Sequence, residues 1–321
     1  MALKNNYLTK ARKEKNDEFY TQYEDVKSEC DKFFHAFEGK TVYCPCDNRN
    51  SKFVQYFIDN FEKFKLKGLF YSSIDTEAAY YNGKDTLPVS LNSYGNVIEK
   101  VDIMKSGYRL IASLSDIIVT NPPFSLFNDF LNGLIEMKKD FLIIGQQNSI
   151  SCKDVFAHLK DDGVIVDYGF KGIAGWFDVP TDYQDIATAG EHIEGKIRVS
   201  GVVWYTTLHL DIEKPFIKLK KSYYNEDGTP NNEAYPFYDN FRTISGLNED
   251  CINVDKVKDI PCDYYGYMGV PISFFGKYNP SQFELIQLDH YGPLGNQDNI
   301  VNGTQKYRRL YVRLRKSNQQ M

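Results

Sequence analysis

The sequence predicts an α/β protein whose sheet carries helices on both faces, followed by a smaller irregular C-terminal segment. Short runs of β-branched and aromatic residues alternate with stretches whose apolar residues recur at helical spacing, which indicates about seven strands with interleaved helices. From Lys214-Pro215 onward the chain is rich in Tyr, Asn and Pro and shows few helical periods. We therefore expect one larger domain over residues 1–212 and a smaller segment over residues 213–321.

Composition limits the classes of protein to consider. The chain has 321 residues, 42% of them hydrophobic and 25% charged, which is typical of a soluble globular protein. It contains no apolar run approaching about 18 residues, and its N-terminus lacks the apolar core of a signal peptide. We expect a cytoplasmic protein without a membrane segment, with its six cysteines reduced.

Charge leaves two interpretations open. The net charge of −5 is not the overall signature of a nucleic-acid binder. Basic residues nevertheless cluster near both ends of the chain, around residues 4–15 and 306–316. These clusters could contact phosphates, or they could be the solvated ends of an acidic protein.

The central feature of the sequence is a buried strand that ends in Thr120-Asn121-Pro122-Pro123-Phe124. The two prolines remove two backbone donors and fix two φ angles, so they end the strand in a rigid polar elbow. Apolar residues at helical spacing follow over residues 124–135, which predicts a helix at once. Asn121 is therefore expected at the carboxyl end of a strand, where open α/β sheets bind ligands.

This elbow suits the binding of an exocyclic amine. The side-chain oxygen of Asn121 and the carbonyl of Pro122 are two adjacent acceptors for the two hydrogens of such an amine. Polarising these hydrogens localises the nitrogen lone pair for attack on an electrophilic methyl group. Phe124 offers a ring face for a base taken out of a duplex. The alternative is a simple helix-starting turn with an entry fixed by proline.

The first elements predict a cofactor loop. Residues 16–23 lead into a helix that extends to Phe37 and could form either a lid on a cofactor pocket or an aromatic helix cap. Lys40–Cys44 is the first strand, Cys44–Ser51 the following turn, and residues 53–64 a helix. The turn of such a βα unit is where a nucleotide-like cofactor binds. A single Cys-x-Cys pair, Cys44 and Cys46, without a nearby His does not predict a zinc site.

Two acidic residues follow the next predicted strands. Residues 68–72 form the second strand, with Asp75 beyond it as a candidate ribose-binding acid. Residues 76–96 are expected to be irregular or a small hairpin, and residues 97–101 a third strand that ends at Asp102. Asp102 could accept a hydrogen bond from the adenine amine of a cofactor, or it could cap the helix that begins near Ile103.

The rest of the larger domain completes the predicted sheet. Residues 141–145 form a fifth buried strand, residues 155–159 lie in a helix, and residues 164–166 form a strand. The glycine-flanked aromatic stretch 170–177 is expected to be a loop that either walls a base pocket or is an ordinary packed turn. Alternation over residues 202–208 predicts a long antiparallel strand that closes the sheet.

Several blocks of the sequence together resemble the EcoRI-type adenine-specific DNA methyltransferases. They occur in the order typical of that family and extend from near residue 10 to near residue 315. The blocks are Asp17-Glu18-Phe19-Tyr20-Thr21-Gln22-Tyr23, Val42-Tyr43-Cys44-Pro45-Cys46-Asp47, Thr120-Asn121-Pro122-Pro123-Phe124-Ser125, Ile252-Asn253-Val254-Asp255-Lys256, Met268-Gly269-Val270-Pro271-Ile272-Ser273-Phe274-Phe275, Asn279-Pro280 and Gln282-Phe283-Glu284-Leu285-Ile286.

The resemblance implies a Rossmann-like fold that uses S-adenosylmethionine to methylate adenine N6 in double-stranded DNA by base flipping. It implies a restriction-modification enzyme, with a separate cognate restriction endonuclease, or an orphan modification enzyme; no metal is implied. By position, Asn121, Pro122, Pro123 and Phe124 correspond to the catalytic motif. The residues implied to bind the cofactor are Tyr20, Thr21, Cys44, Pro45, Cys46, Asp47 and Asp102.

Two alternatives remain at this level. The same elbow could serve a methyltransferase that acts on another exocyclic amine or amide, such as an RNA base or a protein glutamine. The chain could also be a non-catalytic DNA-binding relative of the family.

Overall fold

A computed structural model describes residues 20–73, 76–89, 106–167, 169–170, 174–179, 192–193, 195–209, 214–289 and 299–316. The chain divides into two compact units. The first comprises Met1–Ser149 and Asp161–Asp211, and the second comprises Ile150–Lys160 and Ile212–Met321. The predicted third strand at 97–101 and the candidate acids Asp75 and Asp102 lie outside the described residues.

The first unit alternates strands and helices. Its helices are α1 (Tyr23–Cys30), α2 (Phe34–Phe37), α3 (Lys52–Asp59), α4 (Ser106–Leu114) and α5 (Phe127–Glu136). Its strands are β1 (Tyr20–Thr21), β2 (Thr41–Cys44), β3 (Gly68–Ser73), β4 (Thr76–Tyr81), β5 (Thr86–Pro88), β6 (Ile117–Thr120), β7 (Asp140–Gln146), β8 (Ile165–Asp167), β9 (Ala174–Asp178), β10 (His192–Ile193), β11 (Lys196–Ser200) and β12 (Val202–Thr206).

The central sheet of this unit is mixed. Its eight strands follow the order β5-β4-β3-β2-β6-β7-β12-β8. The four middle strands β3, β2, β6 and β7 are parallel, and the pairs outside them, β3–β4, β4–β5, β7–β12 and β12–β8, are antiparallel. The prediction of a buried parallel strand before the elbow is confirmed by β6, which is buried along its whole length. The predicted antiparallel strand over residues 202–208 is present as β12, which ends at Thr206, but it does not close the sheet, because β8 pairs with it on the outer side.

Helices pack on both faces of the central sheet. On one face, a core of mostly aromatic and β-branched side chains joins α1 and α3 to the sheet and includes Phe53, Phe57 and Trp204. Side chains alternate along a strand, so Tyr205 points to the other face from Trp204. There the ring of Phe127 in α5 packs on Tyr205 with centroids 4.7 Å apart. A Cβ on Gly145 would lie 2.3 Å from the Phe127 ring, so this close approach requires glycine.

A second sheet places β1 beside the aromatic stretch. It has four strands in the order β1-β9-β11-β10, and Thr21 pairs with Phe177 in the antiparallel β1–β9 ladder. The prediction of a loop over residues 170–177 is therefore wrong for residues 174–177, which belong to β9. Flanking glycines suggested a turn, but pairing with β1 and β11 on both sides makes this segment an inner strand. The expected hairpin after the second strand is present as β4 and β5.

The second unit is more regular than the predicted irregular segment. It contains α6 (Lys153–Asp161, whose last residue falls in the first unit), α7 (Phe241–Ser245), β13 (Cys251–Asn253), β14 (Tyr267–Pro271), β15 (Phe283–Leu288), β16 (Ile300–Val301), β17 (Thr304–Gln305) and β18 (Arg309–Leu314). Four of these strands form a sheet in the order β13-β14-β18-β15. Gly269, Pro271 and a register shift between Leu285 and Gln287 interrupt the alternation of the strands, which hid them in the sequence. None of the helices in the described ranges is long and apolar enough to cross a membrane.

Candidate active site

The direction of the chain reverses across the centre of the main sheet, between β2 and β6. From β2 the chain moves to β3 on one side, whereas from β6 it moves to β7 on the other side. The carboxyl ends of β2 and β6 therefore flank a topological switch point, which is the position where open α/β sheets bind ligands. The loop after β2 begins at Cys44 and the elbow after β6 begins at Thr120, so this edge holds the two central predicted motifs.

Asp47 and Thr120 connect these two motifs directly. The hydroxyl of Thr120 donates a hydrogen bond of 2.6 Å to the Asp47 carboxylate. Asp47 is buried, and its backbone nitrogen donates to the carbonyl of Ser72 at 2.8 Å. Burial raises the pKa of Asp47 to about 6, although hydrogen bonds from Thr120 and Ser51 act in the opposite direction. A positively charged ligand at this carboxylate would relieve the cost of keeping it ionised.

Buried polar groups hold the loop after β2 in place. The hydroxyls of Tyr43 and Ser72 lie 2.8 Å apart, and the Ser72 hydroxyl donates to the carbonyl of Pro45 at 3.3 Å. Sequence reasoning assigned no role to Ser72 or to the side chain of Thr120. The available signal was that each is a polar residue near the end of an otherwise apolar strand. The partner of each could not be identified, because the strands that bring them together are distant in sequence.

The N-terminal strand reaches the elbow. The Nδ2 of Asn121 donates to the hydroxyl of Thr21 at 3.4 Å. Thr21 is 5% exposed, whereas its neighbour Tyr20 is 47% exposed. This hydrogen bond directs the amide nitrogen of Asn121 toward β1. The side-chain oxygen of Asn121 therefore lies on the side of the amide away from Thr21. That oxygen is the acceptor that binding of an amine requires.

The elbow combines extended prolines with a short 3-10 turn. Pro123 has φ −52° and ψ 127°, and its carbonyl accepts from the backbone nitrogen of Leu126 at 2.9 Å. In contrast, no residue of the described ranges donates a hydrogen bond to the carbonyl of Pro122. The predicted helix does follow, but only after the 3-10 turn Phe124–Leu126. Phe124 is half-buried and packs against the core, so part of its ring is accessible.

The two cysteines of the first loop lie in different environments. Cys44 is fully buried, and burial raises the pKa of its thiol well above the ordinary value, which favours the neutral thiol. Cys46 is half-buried. Across the described ranges, no group of three or more His, Cys, Asp or Glu side chains is arranged to hold a metal ion. A neutral buried thiol suits packing rather than nucleophilic attack.

The structure thus brings together Thr21, Asp47 and Asn121 from three separate parts of the sequence. Asn121 donates directly to the hydroxyl of Thr21, and Thr120, the residue before Asn121, donates to Asp47 at the switch point of the sheet. Asp102, the remaining candidate for this site, lies outside the described residues. The assembled groups are a carboxylate, an amide, a backbone carbonyl and an aromatic ring. Such a set can bind a cation beside a planar amine.

Comparisons with known proteins cover nearly the whole chain. A family model described as "Adenine-specific methyltransferase EcoRI" matches residues 7–109 and 108–320. The chain is 37% identical over 338 residues to the type II methyltransferase M.EcoRI of Escherichia coli, covering 96% of each chain. It is 32% identical over 342 residues to the type II methyltransferase M.MpnI of Mycoplasma pneumoniae, covering 97% of this chain and 99% of the relative.

A third relative is similar over the same extent. The type II methyltransferase M.MgeORF184P of Mycoplasma genitalium is 30% identical over 333 residues, covering 96% of this chain and 98% of the relative. No solved structure gives a significant match to the chain.

Proposed function

The chain belongs to the family of EcoRI-type methyltransferases, and from this premise we propose that it transfers a methyl group from S-adenosylmethionine to N6 of adenine in duplex DNA. The observation that carries the proposal is the position of Asn121. It follows β6 at the switch point of the sheet, and Thr120 beside it is hydrogen-bonded to the buried Asp47. An amine-binding elbow thereby lies next to a carboxylate that suits a cationic methyl donor.

We propose a Rossmann-like arrangement for the catalytic unit. Parallel crossovers in one sheet are almost always right-handed. The crossover from β2 through α3 to β3 and the crossover from β6 through α5 to β7 proceed in opposite directions. Right-handed crossovers in opposite directions place α3 and α5 on opposite faces, in agreement with the packing of Phe53 and Phe127. In this proposal residues 1–212 are catalytic, and residues 213–321 recognise the DNA target.

The residues at the switch point fit S-adenosylmethionine. This molecule carries an ammonium group and a sulfonium, both of which favour an ionised carboxylate nearby. Asp47 supplies a buried carboxylate whose pKa is raised to about 6, and Thr21 supplies a hydroxyl. We assign cofactor binding to Tyr20 and Thr21, to the turn Cys44-Pro45-Cys46-Asp47, and to Asp102. When bound, S-adenosylmethionine supplies an electrophilic methyl group.

In the proposed mechanism the chain positions the attacking amine. Adenine leaves the duplex and stacks on the accessible part of Phe124. The side-chain oxygen of Asn121 and the carbonyl of Pro122 accept hydrogen bonds from the two amine hydrogens. These bonds hold the nitrogen lone pair toward the methyl group, and Pro123 fixes the backbone that carries both acceptors. As the new N–C bond forms, the methyl–sulfur bond would break, its electron pair would stay on sulfur in a neutral thioether, and the amine proton would leave to solvent. Catalysis by the chain then comes from positioning and electrostatic stabilisation.

We further propose that the enzyme protects DNA as part of a restriction-modification system or as an orphan modification enzyme. In the first case, a separate cognate restriction endonuclease recognises the same sequence. Single-molecule sequencing of DNA from cells that express the protein would reveal the methylated motif.

The direct test is transfer of a labelled methyl group. Purified protein is incubated with methyl-labelled S-adenosylmethionine and unmethylated duplex DNA, and the DNA is digested to nucleosides. We expect the label in N6-methyladenine. Label found only in RNA or on protein glutamine would overturn the proposal in favour of another amine or amide substrate. DNA binding without any binding of S-adenosylmethionine would indicate a non-catalytic relative.

A further inference from the structure

The second unit contains an open cleft with two prominent basic side chains. It has a volume of about 360 Å³, and its basic side chains are Lys221 and Lys256. The other lining residues include the polar Ser222 and Asn231 and the acidic Asp255 and Asp259. The cleft lies entirely within residues 221–259, so it is a property of this unit alone.

The basic groups of the cleft are not neutralised by their surroundings. Within the part of the chain that the structure describes, neither Lys221 nor Lys256 forms an ion pair. Asp255, in contrast, lies 3.4 Å from the ammonium of Lys306 and 3.5 Å from the guanidinium of Arg309. A hydrogen bond from Asn253 and these two cations lower the pKa of Asp255. Because Lys306 and Arg309 balance the negative charge of Asp255, the two positive charges of Lys221 and Lys256 exceed the one negative charge that remains, on Asp259.

The loop that compensates Asp255 also carries an exposed aromatic ring. Tyr307 is 90% exposed, and it lies between Lys306 and Arg308. The backbone around it is anchored, because the nitrogen of Lys306 donates to Asn299 at 2.8 Å and the nitrogen of Arg309 donates to the Asp289 carboxylate at 2.7 Å.

Arg308 fixes the loop to a second element. Its guanidinium donates to the carbonyl of Ser151 at 2.7 Å, just before α6. Tyr307 is therefore an accessible ring on a backbone that is held at both ends. Such a ring loses little conformational freedom when it stacks on a partner.

We propose that the cleft and the Lys306–Arg309 loop form the surface through which the second unit binds duplex DNA. Lys221 and Lys256 contact phosphates, and Tyr307 stacks on a base or inserts between base steps. Uncompensated lysines match the phosphate backbone, and an exposed aromatic ring between basic residues matches the stacked bases. The inference rests on the proposed function, because it assumes that DNA is the substrate.

The lysines are tested by the salt dependence of DNA binding. The Lys221→Ala/Lys256→Ala variant is compared with a Lys220→Ala/Lys258→Ala control, which removes the same charge from neighbouring exposed residues outside the cleft. Binding of an unmethylated duplex that contains the sequence methylated by the protein is measured at several salt concentrations. We expect the cleft variant to bind more weakly and to reduce the log–log salt slope by about 2, or about 0.9 for each lost phosphate contact. The control should change the slope by much less.

The ring is tested by substitutions at one position. Tyr307→Ala should weaken DNA binding about tenfold, whereas Tyr307→Phe and Tyr307→Trp should retain it, because stacking needs a ring and not a hydroxyl. Equal losses in all three variants would contradict a stacking role. Thermal unfolding of each variant, followed by circular dichroism, serves as the folding control for the second unit, in which Tyr307 lies.

The outcomes separate this inference from the proposed function. If the unaltered protein methylates DNA but the cleft variant matches its control and Tyr307→Ala binds normally, the proposed surface is wrong and the function stands. If the unaltered protein does not methylate DNA, the proposed function fails, and this inference fails with it.

Discussion

The hydroxyl of Thr120 donates a hydrogen bond of 2.6 Å to the buried carboxylate of Asp47, and this bond joins the end of β6 to the loop after β2. It links the residue next to the amine-binding elbow with the residue that we assign to the methyl donor. Neither group can shift without disturbing the other, so the bond fixes the distance between the two proposed binding positions.

Removing this bond should impair both stability and cofactor binding. Thr120→Val preserves the shape of the side chain but leaves the buried Asp47 carboxylate without one of its donors. We expect a loss of about 1–3 kcal/mol in the free energy of unfolding, measured by urea denaturation, and weaker binding of S-adenosylmethionine by calorimetry. Thr120→Ser keeps the hydroxyl and should behave nearly like the unaltered protein. Equal behaviour of the two variants would exclude a role for the bond.

Asn121 is expected to be essential for methyl transfer but not for folding. Asn121→Ala removes one of the two proposed acceptors for the amine, so we expect the turnover rate to fall by about 10²–10³-fold or more. Thermal unfolding should show that the protein still folds. Asn132→Ala, the same chemical change on α5, is the matched control. A folded Asn121→Ala variant with normal activity would refute the proposed mechanism.

The buried Asp47 should make stability depend on pH. Its pKa is raised to about 6 in the folded protein, above the value of about 3.9 in an unfolded chain. The folded state therefore holds the proton more tightly, and this stabilisation is complete below about pH 4 and is lost as the pH rises through about 6. Asparagine has no such titration.

The free energy of unfolding of Asp47→Asn, relative to the unaltered protein, should therefore increase by about 2–3 kcal/mol between about pH 4 and about pH 8. Denaturation at a series of pH values measures this difference, in which the other titrating groups largely cancel. A difference that is constant with pH would show that Asp47 does not titrate in this range.

The same carboxylate should make cofactor binding sensitive to acid. An ionised Asp47 attracts a cationic ligand, whereas a protonated Asp47 does not. With a pKa of about 6, the affinity for S-adenosylmethionine should fall about tenfold between neutral pH and about pH 5. Calorimetry at several pH values provides the measurement. Asp47→Asn should bind weakly at every pH, and a matching decline in that variant would assign the effect to another group.

The sequence predicted the parallel centre of the fold because its signals there are local. An apolar β-branched run that stops at two prolines indicated both β6 and the elbow, and β2, β3 and β7 were recognised by the same kind of run. The sheet of the second unit was missed because a glycine, a proline and a β-bulge interrupt its strands.

The candidate site was predictable only in its parts. The positions of Asp47 and Asn121 at strand ends followed from local pattern. Their connection through Thr120 depends on β2 lying beside β6, although the strands β3, β4 and β5 and the helices α3 and α4 separate these two strands in the sequence. The hydrogen bond from Asn121 to Thr21 spans an even longer separation and had no local signal.

The discontinuity of the second unit has a consequence for synthesis of the chain. Residues 150–160 belong to this unit although most of it begins at residue 212. Phe156 in α6 packs on Phe275, and Lys160 donates to the carbonyl of Ile286, so the helix finds its partners only after more than a hundred further residues have been translated. On the ribosome, α6 is therefore made before Phe275 and Ile286. A fragment that ends at residue 212 would lack both partners, which makes simple truncation a poor way to isolate the larger unit.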